Sequence, residues 1–182
     1  MDFIELNFSG SNILKSMDYT KGRAPIKFNL FKNLCNVLAH NQRIEVLKLA
    51  NIGMGPSDMQ YLASVVRQCK SLAFLDISNN CVKNEGVSTL LADIHKSNLR
   101  SIDLSNNFIE DAGFVATIQS LLPSRCLMLT GGKLTVPKLR ELNFSGNMLT
   151  FQTDFAYLEN YFKEVTSEEE CLMPIRLLDL SC

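Results

Sequence analysis

The chain repeats itself, and this constrains its fold more than any other feature. One motif returns as FIELNFSGSNI from Phe3, IEVLKLANIGM from Ile44, LAFLDISNNCV from Leu72, LRSIDLSNNFI from Leu99 and LRELNFSGNML from Leu139. A sixth copy, IRLLDLSC, starts at Ile175. The central residues Leu6, Leu47, Leu75, Ile102, Leu142 and Leu178 stand 41, 28, 27, 40 and 36 residues apart. Two spacings are regular and three carry insertions.

Alternation within each copy predicts a short strand whose central apolar residues enter a core, such as Leu75 with Ile77 and Ile102 with Leu104. A turn follows, at which Asn80, Asn107 and Asn147 can satisfy backbone groups that would otherwise be buried unpaired. Ser11 and Ile52 take that place in the first two copies, which are expected to turn less regularly. Helical spacing then appears in Leu30, Leu34 and Leu38; Leu62 and Val66; Leu90 and Ile94; Ile118 and Leu122; and Phe155, Leu158 and Phe162. Pro56-Ser57-Asp58 predicts a helix start, and Gly86 and Gly113 mark equivalent places of tight packing.

The pattern LxxLxLxxNxLxxxG followed by a helix resembles the leucine-rich repeats of ribonuclease-inhibitor-like proteins. Leu72, Leu75, Ile77, Asn80, Val82, Gly86, Leu90 and Ile94 match it position by position. The resemblance implies an α/β solenoid, a horseshoe arc with a parallel concave sheet and outer helices, of about five and a half repeats. It also implies a protein-binding habit, since similar repeats occur in ribonuclease inhibitor, the GTPase activator of Ran, tropomodulin-like actin regulators, innate immune receptors and nuclear repair scaffolds. Residues 1–182 are expected to form a single domain with repeats starting near 3, 44, 72, 99, 139 and 175. Neither end carries a capping unit, so a fragment of a longer array, or edge-to-edge self-association, is expected.

Insertions are expected at 16–27, 123–137 and 166–174. The first is basic, with Lys21, Arg23 and Lys27 against Asp18. The second places LMLT and KLTV around Gly131-Gly132 and predicts a β-hairpin. The third is acidic, through Glu168, Glu169 and Glu170.

Eighteen basic and nineteen acidic side chains nearly cancel, so there is no uniform positive field for nucleic acid. No apolar run suits a membrane span, and the start lacks the marks of a secretory signal. The six cysteines form no framework and read as reduced thiols, which points to the cytoplasm or nucleus. Cys126 and Cys171, both in insertions, are the pair that could approach one another.

The register predicts three columns on the open face of the sheet. Glu5, Val46, Phe74, Ser101, Glu141 and Leu177 form the first, and Asn7, Lys48, Asp76, Asp103, Asn143 and Asp179 the second. Ser9, Ala50, Ser78, Ser105, Ser145 and Ser181 form the third. Asp and Ser are ordinary choices at these places, whereas an outward aromatic such as Phe74 is a candidate anchor. Nucleophilic catalysis needs a base within reach, and His40 and His95 fall near helix ends away from the Ser and Asp columns. Phosphate-loop motifs and close His/Cys pairs are absent, so no enzyme, cofactor or metal is expected.

These readings converge on a scaffold or adaptor that binds another protein, with no nucleic-acid or membrane partner. Phe74, Asp76, Asp103, Glu141, Asp179, Lys48 and Arg23 are the expected partner-binding residues. The alternatives are a regulator of a small GTPase, on the resemblance to the Ran activator, and a structural segment of a larger assembly.

Overall fold

The computed structural model describes residues 4–11, 26–122, 137–150, Glu159, Lys163 and 175–181. Six parallel strands form one sheet in sequence order: β1 (Ile4–Asn7), β2 (Ile44–Lys48), β3 (Phe74–Asp76), β4 (Ser101–Asp103), β5 (Glu141–Asn143) and β6 (Leu177–Asp179). Between the first five strands run helices α1 (Ile26–His40), α2 (Met59–Gln68), α3 (Lys83–Leu91) and α4 (Asp111–Leu121). Each crossover returns the chain to the same end of the sheet, so that neighbours in sequence are neighbours in space. Glu159 and Lys163 are helical and form an ion pair at 3.5 Å one turn apart. The rest of the helix expected around Phe155, Leu158 and Phe162, and the hairpin expected at 127–136, lie outside the described residues.

One continuous core lies between sheet and helices. The central strand residues Leu47, Leu75, Ile102 and Leu142 are buried and stack through the register Leu47↔Leu75↔Ile102↔Leu142. Burial of such a side chain stabilises by about 1.5–3 kcal/mol. From the other side α2 contributes Met59, Leu62, Val65 and Val66, all buried on one helical face. Its start is as expected: Pro56–Asp58 forms a single 3-10 turn, and the Asp58 carboxylate accepts the Gly55 N–H at 2.8 Å. Two helices face the core differently from expectation. In α1 the inward residues are Phe31, Cys35, Leu38 and Ala39, while Leu30 is 41% exposed and Leu34 only partly buried. The helical period permits either face, and the larger Phe31 ring wins the core. In α4 Leu121 is buried and Leu122, just beyond the helix, is half-buried.

The turns after the strands hold the stack together. The Asn80 side chain accepts from Ile52 N and Met54 N at 3.1 and 3.0 Å and donates to Leu49 O and Ile77 O at 3.0 and 2.9 Å. Asn107 accepts from Val82 N at 3.2 Å and donates to Ile77 O and Leu104 O at 2.9 and 3.1 Å. Asn147 accepts from Asn107 N and Ile109 N at 2.9 and 3.0 Å and donates to Leu104 O and Phe144 O at 2.9 and 2.8 Å. Ile77 O and Leu104 O are each shared by two amides, so the three asparagines form a ladder. Ile52, without an amide, is wholly buried and depends on Asn80 of the next copy. The least regular strand pairing is between β1 and β2, where the register shifts between Ile4 and Glu5.

The residue before each ladder position adopts positive φ: Gly10 at 70°, Asn51 at 53°, Asn79 at 56°, Asn106 at 53° and Gly146 at 64°. Gly and Asn are the residues that enter this region at least cost, which accounts for the SG, AN and SN pairs of the repeats.

Two outcomes test this packing. Asn107→Ala strips partners from several buried backbone groups, each worth about 1–3 kcal/mol when left unpaired. Urea unfolding should therefore show a loss of at least ~3 kcal/mol, and an unchanged midpoint would remove the ladder as the organising contact. Gly113→Ala places a Cβ 2.6 Å from Asn84 Oδ1 and 2.7 Å from Ile109 Cγ2. It should lower the melting temperature, by about 1–3 kcal/mol of overpacking, although alanine normally strengthens a helix.

Candidate functional site

The face of the sheet opposite the helices carries the outward side chains in register. Strand pairing aligns Glu5, Val46, Phe74, Ser101, Glu141 and Leu177, and beside them Asn7, Lys48, Asp76, Asp103, Asn143 and Asp179. Backbone bonds continue the alignment into the third column, from Asn51 N to Ser78 O, Asn79 N to Ser105 O and Asn106 N to Ser145 O. All three predicted columns are thus present.

Their environments differ. Asp76 Oδ1 accepts Ser78 N, Asp103 Oδ1 accepts Ser105 N, and Asp179 Oδ1 accepts Ser181 N, each at 2.9 Å. Asn7 and Asn143 make the same bond to Ser9 and Ser145 at 2.9 Å. Each Asp or Asn of the second column therefore braces its own strand exit, a local bond typical of these residues, whereas at Lys48 the corresponding Ala50 N–H is taken by the Ser9 hydroxyl at 3.2 Å. The Ser181 backbone N–H, together with its hydroxyl, holds the Asp179 carboxyl below the usual carboxylate range. The brace occupies one carboxylate oxygen and leaves the charge in place. Lys48 pairs with Glu5 at 2.7 Å, which neutralises both on β1 and β2. Among the described residues, Asp76, Asp103, Glu141 and Asp179 make no ion pair, so the middle and far end of the face are acidic.

Phe74 is half-buried on this face and Leu177 is 60% exposed. Val46, aligned with them, is only 8% exposed and offers little surface, contrary to the outward reading of its column. Arg23, and almost all of the three insertions, lie outside the described residues.

Other side chains capable of chemistry are built into the frame. His40 Nδ1 bonds Asn36 O at 2.8 Å at the end of α1, and His95 is buried in the single 3-10 turn Ile94–Lys96 after α3. Neither histidine lies on the strands that carry the Ser and Asp columns. Burial, with Asp58 nearby, pushes the Cys35 thiol up to about 12, so it stays protonated and unreactive at neutral pH. Cys69 is buried and donates to Asn41 O at 2.8 Å, and Cys81 is exposed. Among the described residues, no group of three His, Cys, Asp or Glu could hold a metal ion. No described helix is long and apolar enough to cross a membrane.

The "Leucine Rich repeat" family profile matches residues 68–91 and 95–116, which hold β3, α3, β4 and part of α4. The fold is leucine-rich-repeat-like, and two of its copies match that family's profile. In mouse, NACHT, LRR and PYD domains-containing protein 4B is 31% identical over 119 residues, covering 65% of this chain and 13% of that protein. The mouse 4C protein of the same name is 27% identical over 151 residues, covering 66% of this chain and 14% of the relative. The chain thus spans about a seventh of the length of these relatives. Two solved structures share the fold. The leiomodin-1 actin-binding site 2 superposes with a TM-score of 0.59 at 13% identity, covering 88% of this chain and 79% of that one. The Caenorhabditis elegans tropomodulin C-terminal domain gives 0.56 at 16%, covering 90% and 87%.

The brace and the charge of the second column can be separated. Asp103→Asn keeps an oxygen for Ser105 N and should melt within about 0.5 kcal/mol of the parent. Asp103→Ala loses that bond and should cost about 0.5–1.5 kcal/mol in a denaturant titration. Equal stability of all three would show that the bond braces nothing.

Proposed function

We propose that this chain is a scaffold or adaptor module that binds a protein partner through the open face of its sheet and the insertions at 16–27, 123–137 and 166–174. The observation that carries this reading is the open face itself. Parallel sheets are ordinarily covered on both sides. Here Phe74, Ser101, Asp76 and Asp103 are half-exposed, and Glu141 and Leu177 are exposed, among the described residues. The surface suits a partner with basic side chains and an apolar contact for Phe74. That the leiomodin-1 domain is an actin-binding site supports a protein partner for this fold and makes actin one protein to test.

The spacings of 28 and 27 residues between the central repeats support placing the array in the ribonuclease-inhibitor-like subfamily. Leu6 and Leu178 are only partly buried, unlike their register partners, which supports packing of a further repeat or a second copy against β1 or β6. The buried free thiols Cys35 and Cys69 suit a reducing compartment, the cytoplasm or nucleus. In this reading the chain binds without a cofactor and catalyses nothing itself.

Titration with monomeric and filamentous actin, and then with proteins recovered by affinity capture, tests the proposal. The D76K/D103K variant should weaken the authentic partner by at least about tenfold, and F74A by a similar factor. Unchanged affinity for every captured protein in both variants removes the open-face reading.

A further inference from the structure

The position just before the first outward column reads Glu45, Ala73, Arg100, Arg140 and Arg176 along the stack. The backbone N–H of Arg140 donates to Arg100 O at 2.7 Å, and that of Arg176 to Arg140 O at 2.6 Å. Three arginines therefore start three adjacent strands, separated by the inter-strand spacing of about 4.8 Å. Arg100 and Arg176 are exposed. Arg140 is half-buried, with Nη1 donating to Leu139 O at 3.2 Å. Lys138 lies beside the row, exposed, with Nζ donating to Asn98 Oδ1 at 2.7 Å. Among the described residues, Arg100, Arg176 and Lys138 make no ion pair.

The fold does not require this row. Glu45 and Ala73 occupy the same place in two other copies, so neither the sheet nor the core demands a cation there. Like charges side by side on neighbouring strands are, if anything, unfavourable. Lys70 and Lys96 on the same rim are different. Lys70 Nζ bonds the carbonyl of Arg67 at 2.6 Å after α2, and Lys96 pairs with Asp93 at 2.7 Å, so both have local work.

We infer that Arg100 and Arg176, with Lys138 and with Arg140 lying between them, form a docking strip for a short acidic segment of a partner protein, separate from the acidic open face. Guanidinium forks match carboxylates two bonds at a time, and the exposed Arg100 and Arg176 stand two strand spacings apart, within the span of one short acidic segment. Two strand spacings make the row about 10 Å long, the reach of roughly three extended residues. No aromatic stands in the row or beside it at Ser101, Glu141 or Leu177, so there is no platform for stacking bases. A short acidic peptide therefore fits better than nucleic acid.

The full chain is titrated with fluorescein-labelled hexaglutamate at about 50 mM salt, where exposed charges are weakly screened. Parent protein should bind, and R100Q/R176Q should bind at least about tenfold more weakly while melting at the same temperature or higher. K32Q/K83Q, which removes the same charge elsewhere, should bind as the parent does. D76K/D103K should bind hexaglutamate at least as tightly as the parent, so loss of the open-face reading leaves this one standing. The inference is overturned if the parent fails to bind, if R100Q/R176Q binds equally well, or if labelled oligothymidylate binds more tightly with the same arginine dependence.

Discussion

Everything in this molecule hangs on amide side chains that serve two repeats at once. A strand of three or four residues cannot fix its own position, and the turn that ends it would bury unpaired N–H and C=O groups. Asn80, Asn107 and Asn147 satisfy those groups in their own turn and in the turn before. Because Ile77 O and Leu104 O are each shared by two amides, the turns are locked at the repeat spacing, and the sheet's register follows. The core then needs only apolar residues of suitable size at fixed places, which the repeats supply.

Locking the turns leaves the sheet with two unlike faces. Helices cover one. The other stays open, so its side chains are free to vary without unfolding the stack, within one limit. The N–H two residues beyond the second column needs an acceptor, which Asp and Asn supply themselves and which the Ser9 hydroxyl supplies beside Lys48. The carboxylates therefore brace the backbone and colour the surface at the same time. The acidic middle of the face and the arginine row at the strand starts give neighbouring strips of opposite sign, a pattern of the kind that electrostatic complementarity between proteins uses.

Much of this was legible in the sequence, because a repeat amplifies weak signals. The alignment of copies was enough to place Phe74 beside Val46 and Ser101, and Asp76 between Lys48 and Asp103. The arginine row was equally present in the strings LRS, LRE and IRL, but it gains meaning only when those starts are seen to adjoin. Helix faces were harder. Leu30 and Phe31 satisfy the same helical spacing, and only the shape of the space beneath α1 selects the ring. Val46 alternates outward like its neighbours yet is covered, because burial depends on what surrounds a side chain as well as on its direction.

The sequence by itself determined the strand positions, the order and register of the sheet, and the turn residues, since all of these follow from local periodicity and backbone hydrogen bonding. Only the tertiary structure decided which amides share a carbonyl, that Glu5 neutralises Lys48, and that three arginines stand in line. Those are contacts between residues far apart in the chain, or choices among rotamers with equal local preference. The packed stack resolves them, and no single repeat contains the information.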